Sequence, residues 1–273
     1  MINVDRTKCI GCGECIKDCF PSDIVMDNGK AFIKNVACFK CGHCIAVCPE
    51  NAISTDEYNM EEVKEYSEES FKVDAEHLLN FIKFRRTVRR FKPKDVEAEK
   101  LLKIIEAGRF TQTASNLQDV SFIVVKDKLN ELKDLTYDRL KSIAEHSLAG
   151  TDPTNEVIVR YAKMWLAMHK EYKSKPNEKD KLFFNAPIII IVTAKSQISG
   201  ALASSNMELM INALGLGTLF SGFFVRAANG NKEIHDLLDI KKGKEIVTCM
   251  VIGYPDVEYK RTVPRKAVDI SWK

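Results

Sequence analysis

Neither charge nor hydropathy singles out a partner for this chain. Its 273 residues carry 41 basic and 38 acidic side chains, a formal net charge of +3. That balance is too even to argue for nucleic acid or an anionic membrane. Long apolar runs are missing as well, and the longest, Ala186 to Ala194, falls far short of a membrane span. The opening Met1-Ile2-Asn3-Val4-Asp5-Arg6 lacks the apolar stretch of a secretion signal, so the expected location is the cytoplasm. A dinucleotide fingerprint is also absent. Leu214-Gly215-Leu216-Gly217 contains G-x-G, but it follows an expected helix rather than a strand.

What the chain has in excess is cysteine within one short stretch. Eight of its 9 cysteines lie between residues 9 and 48. Cys9, Cys12, Cys15 and Cys19 form a C-x2-C-x2-C-x3-C run, and Cys38, Cys41, Cys44 and Cys48 repeat it, followed by Pro49. Thiolates at this spacing grip one cubane, and the fourth of each run reaches the other cluster. Cys9, Cys12, Cys15 and Cys48 are therefore expected on one [4Fe–4S] centre, and Cys38, Cys41, Cys44 and Cys19 on the second. A zinc knuckle would leave the third cysteine of each run without a role. Disulfides would need an oxidising compartment, to which the sequence shows no route. Residues 1–56 resemble a bacterial two-cluster ferredoxin, except that Pro21 stands one place late after Cys19. Between the runs, Ile24 to Ile33 reads as a hairpin turned at Asn28-Gly29. So small a domain is expected to lack a core and to be held by its metal.

Residues 57–73 are acidic and loosely patterned, and read as a linker to a larger domain over 74–273. In that domain Asp74 is expected to cap a helix through Phe84, with Leu78, Leu79 and Ile82 on one face. Further helices are expected at about 95–110, 128–148, 154–174, 199–214 and 230–239, with a break at Asp152-Pro153-Thr154. Strands are expected at about 121–126, 187–193 and 245–253, the second apolar enough for both faces to be covered. Tyr161, Met164, Trp165 and Met168 form a helical stripe that suits a core better than a ligand cover, and Cys249 reads as a core thiol.

Lys83 to Lys94 holds seven basic residues and no acid. Its chemistry fits a phosphate site, through guanidinium forks and a hydroxyl, and fits a basic docking surface equally well. Three segments in order then resemble the nitroreductase flavoenzymes. Arg85-Arg86-Thr87-Val88-Arg89-Arg90-Phe91 is similar to their arginine-rich opening, with threonine for the commoner serine. Thr113-Ala114-Ser115-Asn116-Leu117-Gln118 is similar to a small-polar turn, although the usual Pro-Trp after it is replaced by Asp119-Val120. Leu214 to Thr218 with Ser221-Gly222, and Pro264-Arg265-Lys266 in the tail, complete the resemblance.

That resemblance implies an α+β fold, a mostly antiparallel sheet wrapped by helices, and FMN held at a homodimer interface. It implies phosphate and ribityl contacts from Arg85, Arg86 and Thr87, and a cation from Arg89 beside flavin N1 and O2. Asn116 would meet the flavin edge, Gln118 would support the turn, and the Ser221 and Gly222 N–H groups would approach flavin N5. Arg265 or Lys266 would complete the clamp. No side chain is singled out as catalytic. The function so implied is a two-electron reduction of a small organic acceptor, such as a nitroaromatic or quinone, fed singly through the clusters. The donor would be reduced ferredoxin or NAD(P)H, with neither nucleic acid nor membrane as partner. Two alternatives remain open: a carrier or redox sensor without turnover, and flavin-modifying or dehalogenating chemistry.

Overall fold

A computed structural model describes residues 1–150 and 155–273; the expected break at Asp152-Pro153-Thr154 lies outside the described residues. The chain divides into two compact units, Met1–Asp74 with Thr113–Leu117, and Ala75–Gln112 with Gln118–Lys273.

The first unit is built from short elements around its cysteines. Strand β1 (Ile2–Val4) pairs antiparallel with β4 (Ile53–Thr55), which closes the two ends of the cysteine region. The hairpin of β2 (Ile24–Asp27) and β3 (Lys30–Ile33) turns at Asn28 and Gly29, both at positive φ, as its sequence requires. Two single-turn helices, α1 (Glu14–Lys17) and α2 (His43–Ala46), each follow a left-handed glycine, Gly13 and Gly42. Gly11 cannot be replaced, because a Cβ there would stand 2.2 Å from the Gly29 carbonyl oxygen. Contrary to expectation the unit has a core, although a small one. Ile2, Ile24, Ala31, Ile33, Ala52 and Ile53 pack with Cys9 and Cys15. The acidic stretch forms a 3-10 turn at Met60–Glu62 and helix α3 (Glu68–Phe71), and contributes nothing buried.

The second unit is an α+β body on a four-stranded antiparallel sheet in the order β5-β6-β8-β7. These strands are β5 (Ser121–Val125), β6 (Ile188–Ala194), β7 (Gly217–Phe220) and β8 (Glu245–Gly253). All seven residues of β6 are buried. Because side chains alternate along a strand, Ile189 and Ile191 enter one core while Ile188, Ile190 and Val192 enter the other. The apolar run thus reflects a central strand covered on both faces, in an antiparallel sheet. One layer contains α5 (Ala98–Arg109) and α8 (Gln197–Ala213). The other contains α6 (Leu129–Gly150), α7 (Glu156–Ser174), α9 (Gly222–Ala228) and α10 (Lys232–Leu237). Trp165 and Met168 are buried in that layer, as their spacing implied, and Tyr161 stands at its edge. Cys249 is fully buried in β8, and burial pushes its thiol up.

Helix α4 (Ala75–Phe84) differs from the other described helices of the second unit, since none of its residues is buried. Leu78, Leu79, Ile82 and Phe84 keep 39 to 46 % of their surface exposed within one chain.

A polar network fixes the loop ahead of β6. Asp180 is buried and pairs with Lys133 at 3.1 Å. Its carboxylate also accepts from the N–H groups of Leu182, Phe183 and Asn185, at 2.9, 3.0 and 3.1 Å. Those bonds hold a turn in which Phe184 and Asn185 both adopt positive φ. The Tyr137 hydroxyl accepts from Lys181 and Leu182, and burial beside Asp180 pushes its pKa up. Asp180→Ala would leave Lys133 as a buried unpaired charge and the N–H groups of Phe183 and Asn185 without an acceptor, Leu182 keeping the Tyr137 hydroxyl. The expected loss is about 3–5 kcal/mol, read as a lowered denaturation midpoint of the full chain with the slope unchanged.

Candidate functional site

The cysteines of the first unit line two separate hollows. One is bounded by Cys9, Cys12, Cys15 and Cys48 with Gly11, Gly13 and Ala31. The other is bounded by Cys19, Cys38, Cys41 and Cys44 with Phe20, Pro21 and Phe39. Each hollow therefore takes three thiols from one run and the fourth from the other. Among the described residues no three His, Cys, Asp or Glu side chains converge as a site for a single ion. The thiols instead stand around a central space, an arrangement that fits a cluster better than one tetrahedral zinc.

The surrounding backbone supplies sulfur with donors. Ala31 N–H donates to Cys9 Sγ at 3.5 Å, and Ala52 N–H to Cys48 Sγ at 3.3 Å. In the second hollow, Lys40 N–H donates to Cys38 Sγ at 3.4 Å. Such bonds to ligand sulfur are among the factors that set cluster potential. The Ala31 donor draws the Cys9 thiol below its ordinary range. Burial acts oppositely on Cys15, and it pushes Cys44 up to about 11. Binding of metal would displace those protons, since the thiolate is the ligand.

In the second unit, the arginine-rich segment lies against the sheet. Thr87 forms a parallel bridge with Thr218 of β7, and Val88 N–H donates to Thr218 O at 3.0 Å. The approach depends on Gly217, where a Cβ would stand 2.6 Å from Val88 Cγ2. Further along, Phe91 bridges Pro255, and the N–H groups of Lys92 and Asp256 donate to Tyr254 O and Arg90 O. Two motifs far apart in sequence, Arg85 to Phe91 and Gly217 to Gly222, are thereby brought together. The donor set gathered there, Arg85, Arg86, Thr87 and Arg89, suits a phosphate.

Arg85 is not free for an anion alone. Its Nη1 donates to Glu208 Oε1 at 2.8 Å, while its buried Nε–H has no partner. Burial pushes the Glu208 carboxyl up, and the facing Arg85 opposes that shift. Arg86 is half-buried, whereas Thr87 and Arg89 are exposed. The Thr87 carbonyl accepts from the Tyr259 hydroxyl at 3.1 Å.

Other expected residues are placed differently. The Ser221 N–H donates to Cys249 O at 2.8 Å, and its buried hydroxyl donates to Leu182 O at 3.2 Å. Ser221 therefore lacks the free N–H foreseen for it, because β8 takes that donor. Gly222, the first residue of α9, keeps the unpaired N–H of a helix start. Asn116 is grouped with the first unit, and its Nδ2 donates to the carbonyls of Phe39 and Lys40, at 3.3 and 2.8 Å. Its amide is thus engaged by main chain, contrary to the flavin-edge role. Gln118 is exposed at positive φ. Arg265 and Lys266 stand exposed in the irregular tail.

Two useful residues escaped the sequence reading. Asp119, replacing the usual proline, accepts from the N–H groups of Lys195 and Ser196 and so secures the start of α8. Glu208 carried a signal, since it is the sole charged residue in the largely apolar Gln197–Ala213, and buried acids nearly always have partners.

These features define an α+β domain with an arginine-rich strip, carried on one chain with a unit holding two four-thiol hollows. The chain belongs to the nitroreductase family, whose model, described as "Nitroreductase family", matches residues 82–254, well over half of it. A model described as "4Fe-4S dicluster domain" matches residues 8–53 and indicates two clusters. The chain is similar to an NADPH-dependent oxidoreductase of Staphylococcus aureus, at 24 % identity over 201 residues, 71 % of this chain and 72 % of that one. Its fold is similar to a nitroreductase with bound FMN from Bacteroides fragilis, with TM-score 0.55, 20 % identity, and 71 % and 98 % of the two chains covered. A BluB-like flavoprotein from Clostridium difficile gives TM-score 0.53 at 20 % identity, covering 71 % of this chain and 99 % of that one. The chain is an oxidoreductase of the nitroreductase family with a 4Fe–4S ferredoxin domain, as both resemblances implied. No helix of the described residues is long and apolar enough to cross a membrane.

Proposed function

We propose that this protein reduces a small organic acceptor at FMN with electrons supplied through its own two [4Fe–4S] clusters. The observation that carries this reading is the pair of four-cysteine hollows on the same chain as a nitroreductase-family domain. When bound, the clusters carry single electrons and FMN exchanges one or two, so pairwise reduction can draw on a one-electron source.

The protein's part is to hold and orient. Cys9, Cys12, Cys15 and Cys48 would bind one cluster, and Cys19, Cys38, Cys41 and Cys44 the other. Arg85, Arg86 and Thr87 would grip the FMN phosphate and ribityl chain, with Arg89 supplying a further cation. The unpaired N–H of Gly222 stands two residues beyond the end of β7, the strand that Thr87 meets at Thr218. A homodimer is part of this reading, and the uncovered apolar residues of α4 support it. Candidate acceptors are nitroaromatics and quinones. Candidate donors are reduced ferredoxin and, from the name of the staphylococcal relative, NADPH.

Metal and flavin analysis of anaerobically purified protein is expected to give about eight irons per chain and FMN rather than FAD. Arg86→Ala should keep the iron and lose a charge-assisted contact, weakening FMN binding roughly tenfold or more. Stoichiometric zinc, or an Arg86→Ala chain that holds FMN as tightly as the parent, would contradict the assignment.

A further inference from the structure

Resting on the phosphate role read for Arg85, we propose that Glu208 is a positioning residue that holds this guanidinium by Nη1 and so turns its other edge toward the FMN phosphate. The sequence places one acid in a helix that is otherwise uncharged, and the fold buries it. Glu208 keeps only 11 % of its side-chain surface, and the one charge shown facing it is Arg85. Arg85 sits at the end of α4, its N–H on Phe81 O at 3.2 Å, so without a tether its long side chain has many rotamers. Glu208 supplies that tether from α8.

The geometry of the contact also indicates what is left over. A guanidinium has five donors, and its Nε and Nη2 edge matches a carboxylate or phosphate with two parallel bonds. Glu208 takes Nη1 alone, at 2.8 Å. The Nε–H is buried and has no partner, and a buried donor left so is costly. An acceptor on the Nε side removes that cost, and a phosphate oxygen is the acceptor this strip is composed to receive. An acid beside a phosphate site would otherwise repel the ligand; here it is neutralised by the arginine it orients.

The test compares FMN with riboflavin, which has the same ring and ribityl chain but no phosphate. The full-length chain, freed of flavin, is titrated with each by flavin fluorescence under anaerobic conditions. Glu208→Gln keeps the shape and loses the charge. It is expected to bind FMN roughly tenfold more weakly and riboflavin as the parent does. Combining it with Arg85→Ala should add nothing further, since both act on one contact. Glu208→Asp, which retains the charge at shorter reach, should fall between Gln and parent, and serves if the Gln variant does not fold. Unchanged FMN affinity in Glu208→Gln, beside a weakened Arg85→Ala, would overturn the positioning role alone. Equal loss of FMN and riboflavin would overturn it too, marking Glu208 as a stitch between α4 and α8. If Arg85→Ala binds FMN like the parent, the phosphate role of Arg85 fails, and this inference with it.

Discussion

Replacing Cys19 by serine is expected to empty the hollow formed by Cys38, Cys41 and Cys44, while the cluster of its own run survives. The prediction follows from where the chain turns. Cys19 comes two residues after α1, and its thiol lines the second hollow rather than the one bounded by Cys9, Cys12 and Cys15. Cys48, after α2, makes the reverse exchange. A serine hydroxyl is a far poorer ligand than a thiolate, so iron should fall from about eight per chain toward four. The electron paramagnetic spectrum of the reduced protein should then show one cluster in place of two interacting ones. It should match that of Cys41→Ser and differ from that of Cys12→Ser. The opposite match would mean that each run holds its own cluster. Because the unit's core is so small, the same variant should also lose protection in native-state hydrogen exchange around β2 and β3.

The parts of the site legible in the sequence are those whose chemistry requires a fixed spacing. Eight cysteines in two identical runs admit few alternatives, and in the structure they line two hollows, four to each. The central strand was legible for a similar reason. A run such as Ile188 to Val192 finds covered surface only inside a sheet with two layers over it. The reading failed where one donor had two possible acceptors. Nothing local says whether the Ser221 N–H faces a ligand or the neighbouring strand, and the pairing with Cys249 O emerges only once β8 is in place. Asn116 is similar, for its partners Phe39 and Lys40 lie 76 or 77 positions away. Helix α9 was missed because its seven residues follow a strand too closely for a periodicity to develop. The apolar face of α4 was legible as amphipathic, but the pattern alone does not say what covers it.

The largest functional effect is expected from disabling both clusters together. Cys12 and Cys41 are the two exposed cysteines, so serine in both places disturbs packing least. Neither belongs to the arginine strip of the second unit, so FMN content should remain that of the parent. A tethered donor works at an effective concentration in the millimolar range, which a free donor rarely reaches. Removing the clusters should therefore slow reduction by a low-potential one-electron donor by roughly tenfold or more, equivalent to at least about 1.4 kcal/mol. The decisive measurement is anaerobic turnover of a nitroaromatic acceptor with reduced ferredoxin as donor, comparing the parent with the Cys12→Ser, Cys41→Ser chain at equal FMN content. If the clusters feed the flavin, the parent turns over and the variant all but stops, while free reduced flavin added to either supports the same slow background rate. Equal turnover by the two chains, or full activity of both with NADPH and none with ferredoxin, would contradict the electron-supply role.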